Sequence, residues 1–140
     1  MKSGFGLAKL GILSLLLAVS VSLTGCGGAK KQPIGGASQE KYLFGTYSAL
    51  FACGMREMDK AVRETCSKAK LTLLKRTNNL NECYYLYRDI NDVKLHVTIL
   101  EQKDNTVKIK LKVGSTGDKE SCQMILIEID SHLRSQGALL

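Results

Sequence analysis

The sequence predicts an α+β domain: an antiparallel sheet of four to five strands, covered on one face by two helices, in the order β-α-β-β-β-β-α. Three observations carry that prediction. Val107 to Val113 alternates strictly, with Val107, Ile109, Leu111 and Val113 on one side and Lys108, Lys110 and Lys112 on the other, which is the period-2 pattern of a strand with one dry and one wet face. Two segments, Met55 to Ala69 and Lys119 to Arg134, instead repeat apolar residues at helical spacing. The strand-like runs between them are joined by tight turns, as in an antiparallel meander.

Taken in order, Lys41 to Cys53 is rich in Tyr, Phe and Thr and alternates through Tyr47, Ala49 and Phe51, so it reads as one strand closed by Gly54. The first helix places Met58, Ala61, Val62, Thr65, Cys66 and Ala69 on one face, with Arg56, Asp59, Lys60, Arg63 and Lys68 mainly away from it. Leu71 to Arg76 is a short strand, and Thr77-Asn78-Asn79 reads as a turn. Cys83 to Arg88 is aromatic and strand-prone. Asn91-Asp92 turns the chain into Val93 to Glu101, where Val93, Leu95, Val97 and Ile99 face one way. Lys103-Asp104-Asn105 leads into the alternating strand, and Gly114 to Asp118 breaks the sheet. The closing helix carries Cys122, Ile125, Leu126, Ile129 and Leu133 as its apolar stripe, with Asp118 among the candidate caps. Two helices on one face are the economical cover for the apolar side of such a sheet.

The residues before this domain read as an address. Lys2 and Lys9 precede an apolar run from Leu10 to Leu23, which is about 14 residues and short of the ~20 a spanning helix needs. Its length and flanks are those of a signal peptide. Leu23-Thr24-Gly25-Cys26 resembles the bacterial lipobox, in which the cysteine thiol is acylated and the chain is cut before it. The expected organisation is therefore a signal at 1–25, a lipidated Cys26 with a flexible Gly-rich tether to residue 40, and one domain at 41–136. Several acyl chains at about 0.8 kcal/mol per buried methylene make a stable anchor. Gly27 stands where an Asp would favour retention in an inner membrane, so an outer membrane is expected if the source has two.

At 44% hydrophobic and 24% charged, the composition is that of a folded chain rather than a disordered one. Lys2 and Lys9 leave with the signal, so a formal charge of +7 becomes +5. Lys30 and Lys31 beside the anchor suit an anionic bilayer surface. Nucleic acid is not expected as a partner of an exported chain.

The stretch from Lys108 to Leu126, with Val113-Gly114 and Gly117-Asp118 between strand and helix, resembles the end of a family of small bacterial lipoproteins known only as a domain of unknown function. The likeness extends over most of residues 41–135. It implies the same α+β fold and an envelope location, and it carries no activity or catalytic residue. Beyond Cys26, the four further cysteines depart from the family's usual pattern.

Those cysteines, Cys53, Cys66, Cys83 and Cys122, allow two disulfides in an oxidising compartment, with Cys66–Cys122 the favoured pair because both lie on helices that should pack together. The alternative is free cysteines acting as small core hydrophobes. No Cys-x-x-Cys is present, which argues against thiol-redox chemistry. His96 and His132 lack partners at ligand spacing, so they read as solvated surface histidines and no metal or cofactor is expected. Gly114-Ser-Thr-Gly117 before a helix lacks the lysine of a P-loop and reads as a simple turn. Lys94, Lys108, Lys110 and Lys112 remain as a candidate contact for anionic lipid or a polyanion, partly neutralised by Glu101 and Asp92; the plainer reading is a wet face kept soluble by charge. The function expected first is thus a non-catalytic envelope lipoprotein, a binding or structural module that is held in membrane lipid through its acylated cysteine and whose domain binds an envelope protein or a surface component. A polyanion-binding module using the lysine face is the alternative, and an envelope enzyme the third.

Overall fold

A computed structural model of the chain describes residues 36–138; the expected signal, Leu23, Thr24, Gly25 and Cys26 of the expected lipobox, and the expected tether up to residue 35 lie outside them. The described chain forms β1 (Ala37–Leu43), β2 (Thr46–Phe51), α1 (Met55–Lys68), β3 (Thr72–Asn79), β4 (Glu82–Arg88), β5 (Lys94–Glu101), β6 (Val107–Val113) and α2 (Lys119–Ser135). All six strands join one antiparallel sheet in the order β1-β2-β6-β5-β4-β3. The chain leaves β2, crosses behind the sheet as α1, and starts again at the far edge with β3. Three successive hairpins then return β6 to the side of β2.

The expected α+β class and the order from β2 onward are observed, but the sheet has six strands rather than four to five. The extra strand comes from Lys41 to Cys53, which is a hairpin and not one strand. Phe44 and Gly45 turn it, with φ of 48° and 76°. With both turn positions in left-handed backbone this is the type I′ pattern, a place usually taken by Asn-Gly. Phe in that conformation costs roughly 1–2 kcal/mol, so the turn is poorly marked in the sequence. Gly45 is required for a second reason: a Cβ there would lie 2.1 Å from the Thr116 carbonyl oxygen. Two smaller differences follow from pairing. β1 already starts at Ala37, opposite Phe51, inside the stretch read as tether. β3 runs on through Asn79, opposite Glu82, which moves the expected Thr77-Asn78-Asn79 turn to Leu80-Asn81.

Alternation places Tyr47, Ala49 and Phe51, then Tyr85 and Tyr87, Leu95, Val97 and Ile99, and Val107, Ile109 and Leu111 on the helix side, all buried. α1 packs on α2 and β5, and α2 on β6 and β2. Met58, Ala61, Val62, Leu126, Ile129 and Leu133 complete the core from the helix side. β3 contributes no fully buried residue. Its Arg76 lies 5.4 Å above the Tyr85 ring and 3.7 Å from Asp59, and together with a register shift between Leu73 and Lys75 it makes an edge ill-suited to pairing with another chain. Among the described residues, no helix covers the sheet's other face. Among the described residues, no helix is long and apolar enough to cross a membrane.

Candidate functional site

Cross-strand register assembles the open face row by row. Lys110 lies opposite Ser48 on one side and Thr98 on the other, and Thr98 in turn opposite Tyr84. Lys112 lies opposite His96, and His96 opposite Leu86. Lys108 is framed by Leu50 and Leu100, and Lys94 sits opposite Arg88. The four lysines singled out in the sequence therefore share one surface. Lys108, Lys110 and Lys112 are half-buried and Lys94 is exposed. Among the described residues, none of the four makes an ion pair.

The counter-charges expected for them are engaged or turned away. Asp92 bonds Arg88 at 3.3 Å. Glu101 lies opposite Val107, on the helix side by alternation. On β2, β6, β5 and β4 the outward positions thus carry five cations (Arg88, Lys94, Lys108, Lys110 and Lys112) against the single carboxylate of Glu82. The two helices balance instead, with six cations and six carboxylates. Like charges two residues apart on a strand repel, so the row gains only when an anion lies across it.

Tyr84 and His96 deepen this face into a shallow depression of about 380 Å³ that also touches Thr46, Lys110, Lys112 and Ser115. The Tyr84 hydroxyl and His96 Nδ1 are 2.8 Å apart. Burial, then the neighbouring Lys112 and Lys94, hold the His96 imidazolium below its ordinary pKa, so the ring is neutral near pH 7. Neither histidine is the solvated surface residue expected. His132 is half-buried with Nδ1 3.4 Å from Glu64, and its Nε2 has no partner. The sequence could place each on a face but could not show what stood beside it.

The helix layer offers a different surface. Thr65, Ala69, Met124, Ile125 and Ile127 line an open apolar groove of about 460 Å³ between α1 and α2, bordered by the Lys68–Glu128 ion pair at 3.1 Å. The buried Thr65 hydroxyl has no hydrogen-bond partner.

Cys53, Cys66, Cys83 and Cys122 are buried free thiols, and Cys66 and Cys122 are not bonded to each other. The reason is where they point. Cys66 lies against the Tyr87 hydroxyl on β4, while Cys122 Sγ is 3.6 Å from the Leu111 carbonyl on β6. Burial first, with Glu57 behind it, pushes the Cys53 thiol up to about 11, and burial pushes Cys66 up to about 12, which disfavours thiolate chemistry at both.

Before α2, Asp118 caps its own helix. Its carboxylate accepts the N–H groups of Glu120 at 3.0 Å and Ser121 at 3.3 Å, so the donors a phosphate would use are taken. Among the described residues, no group of three or more His, Cys, Asp or Glu side chains is placed to hold a metal ion.

A family model described as protein of unknown function (DUF3568) matches residues 9–132. No curated protein matches the chain.

Proposed function

We propose a non-catalytic binding role for this chain, which belongs to the family described as protein of unknown function (DUF3568). On this reading it is a bacterial envelope lipoprotein, cut before Cys26 and held by acyl chains on that cysteine, with the outer membrane its place where there are two. The domain presents its open sheet face to an anionic surface. The observation that carries the reading is the charge asymmetry: an unpaired cation row on the open face, beside helices whose charges cancel. A face kept wet only for solubility needs charge of either sign, and outward carboxylates would relieve the repulsion along β6.

Two measurements test it. The intact mass of membrane-extracted protein should equal residues 26–140 plus acyl chains; an unacylated chain rejects the anchor. Detergent-solubilised protein should be retained on immobilised heparin and released by salt. The triple change Lys108→Gln, Lys110→Gln, Lys112→Gln should weaken binding to an anionic bilayer roughly a hundredfold, at about 1 kcal/mol per cation near such a surface, and should lower the eluting salt on heparin. Elution at unchanged salt rejects the basic face as a contact surface.

A further inference from the structure

We infer that two hairpin tips, Phe44 between β1 and β2 and Ile90 between β4 and β5, insert together into an anionic lipid bilayer, with Lys94 and Lys112 meeting the headgroup phosphates behind them. The electrostatic half of this inference rests on the basic-face reading above; the insertion half rests on the tips.

Register puts the two tips at one end of the sheet. Tyr47 is opposite Leu111, Leu111 opposite Val97, and Val97 opposite Tyr85. From that row β2 runs back to the Phe44 turn, while β4 runs forward to Arg88 and then Ile90. Three inter-strand spacings separate the hairpins, about 14 Å. Phe44 is 93% exposed and Ile90 91%, while Leu43 and Val93 beside them are each 40% exposed.

Nothing within the domain compensates for these exposures. Phe44 also occupies left-handed backbone, a conformation bulky residues rarely adopt and one that Asn would take more easily. A strained residue that is also apolar and unburied points to a contact made outside the chain. The basic residues stand at matching heights. Thr46 comes level with Lys112, so Phe44 projects two residues beyond that lysine; Lys94 is opposite Arg88, so Ile90 projects two residues beyond both. Two strand residues are about 7 Å, within the roughly 5–10 Å by which interfacial segments bury apolar side chains below headgroups. Three of the acidic groups at this end are committed locally: Asp89 accepts the N–H groups of Asn91 and Val93, Asp92 pairs with Arg88, and Asp118 caps α2, while Glu120 is exposed in the first turn of α2 beside Lys119.

Leu80 provides the contrast. It is 95% exposed at the β3–β4 turn, at the opposite end of the sheet, between asparagines and without a second apolar tip beside it. The tether allows the contact. The ten residues between Cys26 and Ala37 make eleven Cα–Cα steps and can span at most about 40 Å, whereas the seven residues of β1 that lead to the Phe44 end cover about 23 Å.

The chain has no tryptophan, so single reporters can be placed in the whole lipoprotein by Phe44→Trp, Ile90→Trp and Leu80→Trp. Each variant, checked for cooperative unfolding, is reconstituted in vesicles of phosphatidylglycerol and phosphatidylcholine with brominated acyl chains. The expected result is blue-shifted, strongly quenched emission from positions 44 and 90, lost in pure phosphatidylcholine or at high salt, and little quenching at position 80. Quenching at 44 and 90 no greater than at 80 overturns the insertion, and unchanged heparin retention would then leave the basic-face reading intact. Equal quenching on phosphatidylcholine at any salt overturns the electrostatic half and leaves insertion standing. Blue-shifted emission at 44 without vesicles indicates self-association and overturns the proposal.

Discussion

The backbone N–H of Gly36 donates to Asp130 Oδ1 at 2.8 Å, across 94 positions of sequence. Asp130 is 7% exposed, and its second oxygen accepts from Arg134 Nε at 2.8 Å. One carboxylate on α2 thus holds the start of the edge strand β1. Asp130→Ala leaves the Gly36 N–H without its acceptor and removes the Arg134 contact, so a loss of about 1–3 kcal/mol is expected. The damage should be local: amide exchange at Ala37 and Ser38 should accelerate far more than at Val97 or Ile109. Uniform acceleration would show that the clamp supports the whole domain.

His96 predicts a pH dependence. Its folded-state pKa lies below the unfolded value near 6.5, because burial and the Lys112 and Lys94 charges oppose protonation. The unfolded chain therefore binds the proton more readily. Stability contributed by the neutral ring is complete above about pH 6.5 and falls as pH drops from there toward the lower folded-state value. Urea midpoints at pH 7.5 and 5.5 should differ less in His96→Gln than in the parent. An equal difference in both would assign the acid sensitivity to carboxylates.

The thiols predict a reactivity pattern. With Cys53 raised to about 11 and Cys66 to about 12 by burial, iodoacetamide at pH 8 should leave both unmodified in the native domain. In denaturant without reductant all four domain cysteines should alkylate. Cysteines protected until a reductant is added would reveal a disulfide.

Adjacent positions on β6 separate core from surface. Ile109 is fully buried, and Ile109→Ala should cost about 2–5 kcal/mol. Lys110→Ser, one residue away on the open face, should change stability by about 0.5 kcal/mol or less, with relief of repulsion favouring the serine. A large loss at Lys110 would give that lysine a structural role.

Local periodicity made most elements legible. The alternation of β4, β5 and β6, the apolar stripes of α1 and α2, and the lysine row of β6 are written in consecutive residues, and the structure keeps them. The Phe44 hairpin was not legible, because its turn uses an aromatic in left-handed backbone where Asn is the usual mark. The Tyr84–His96 pair was missed for a different reason: twelve residues separate them, and only the β4–β5 register brings them within 2.8 Å.

The sequence by itself determined most of the buried positions, among them Val107, Ile109 and Leu111 on β6 and Leu126, Ile129 and Leu133 on α2, since period 2 and period 3.6 each follow from the geometry of one element; Val93 and Ala69, at the ends of their segments, are exposed instead. The resemblance of Leu23 to Cys26 to a lipobox also rests on the sequence alone, outside the described residues. Only the tertiary structure decided that β6 returns beside β2, that Lys94 joins the row of Lys108, Lys110 and Lys112, that Phe44 and Ile90 stand at one end, and that Cys66 and Cys122 face different strands. These depend on pairings between distant segments, whose order and register are set by the packing of the whole core and not by any stretch within it.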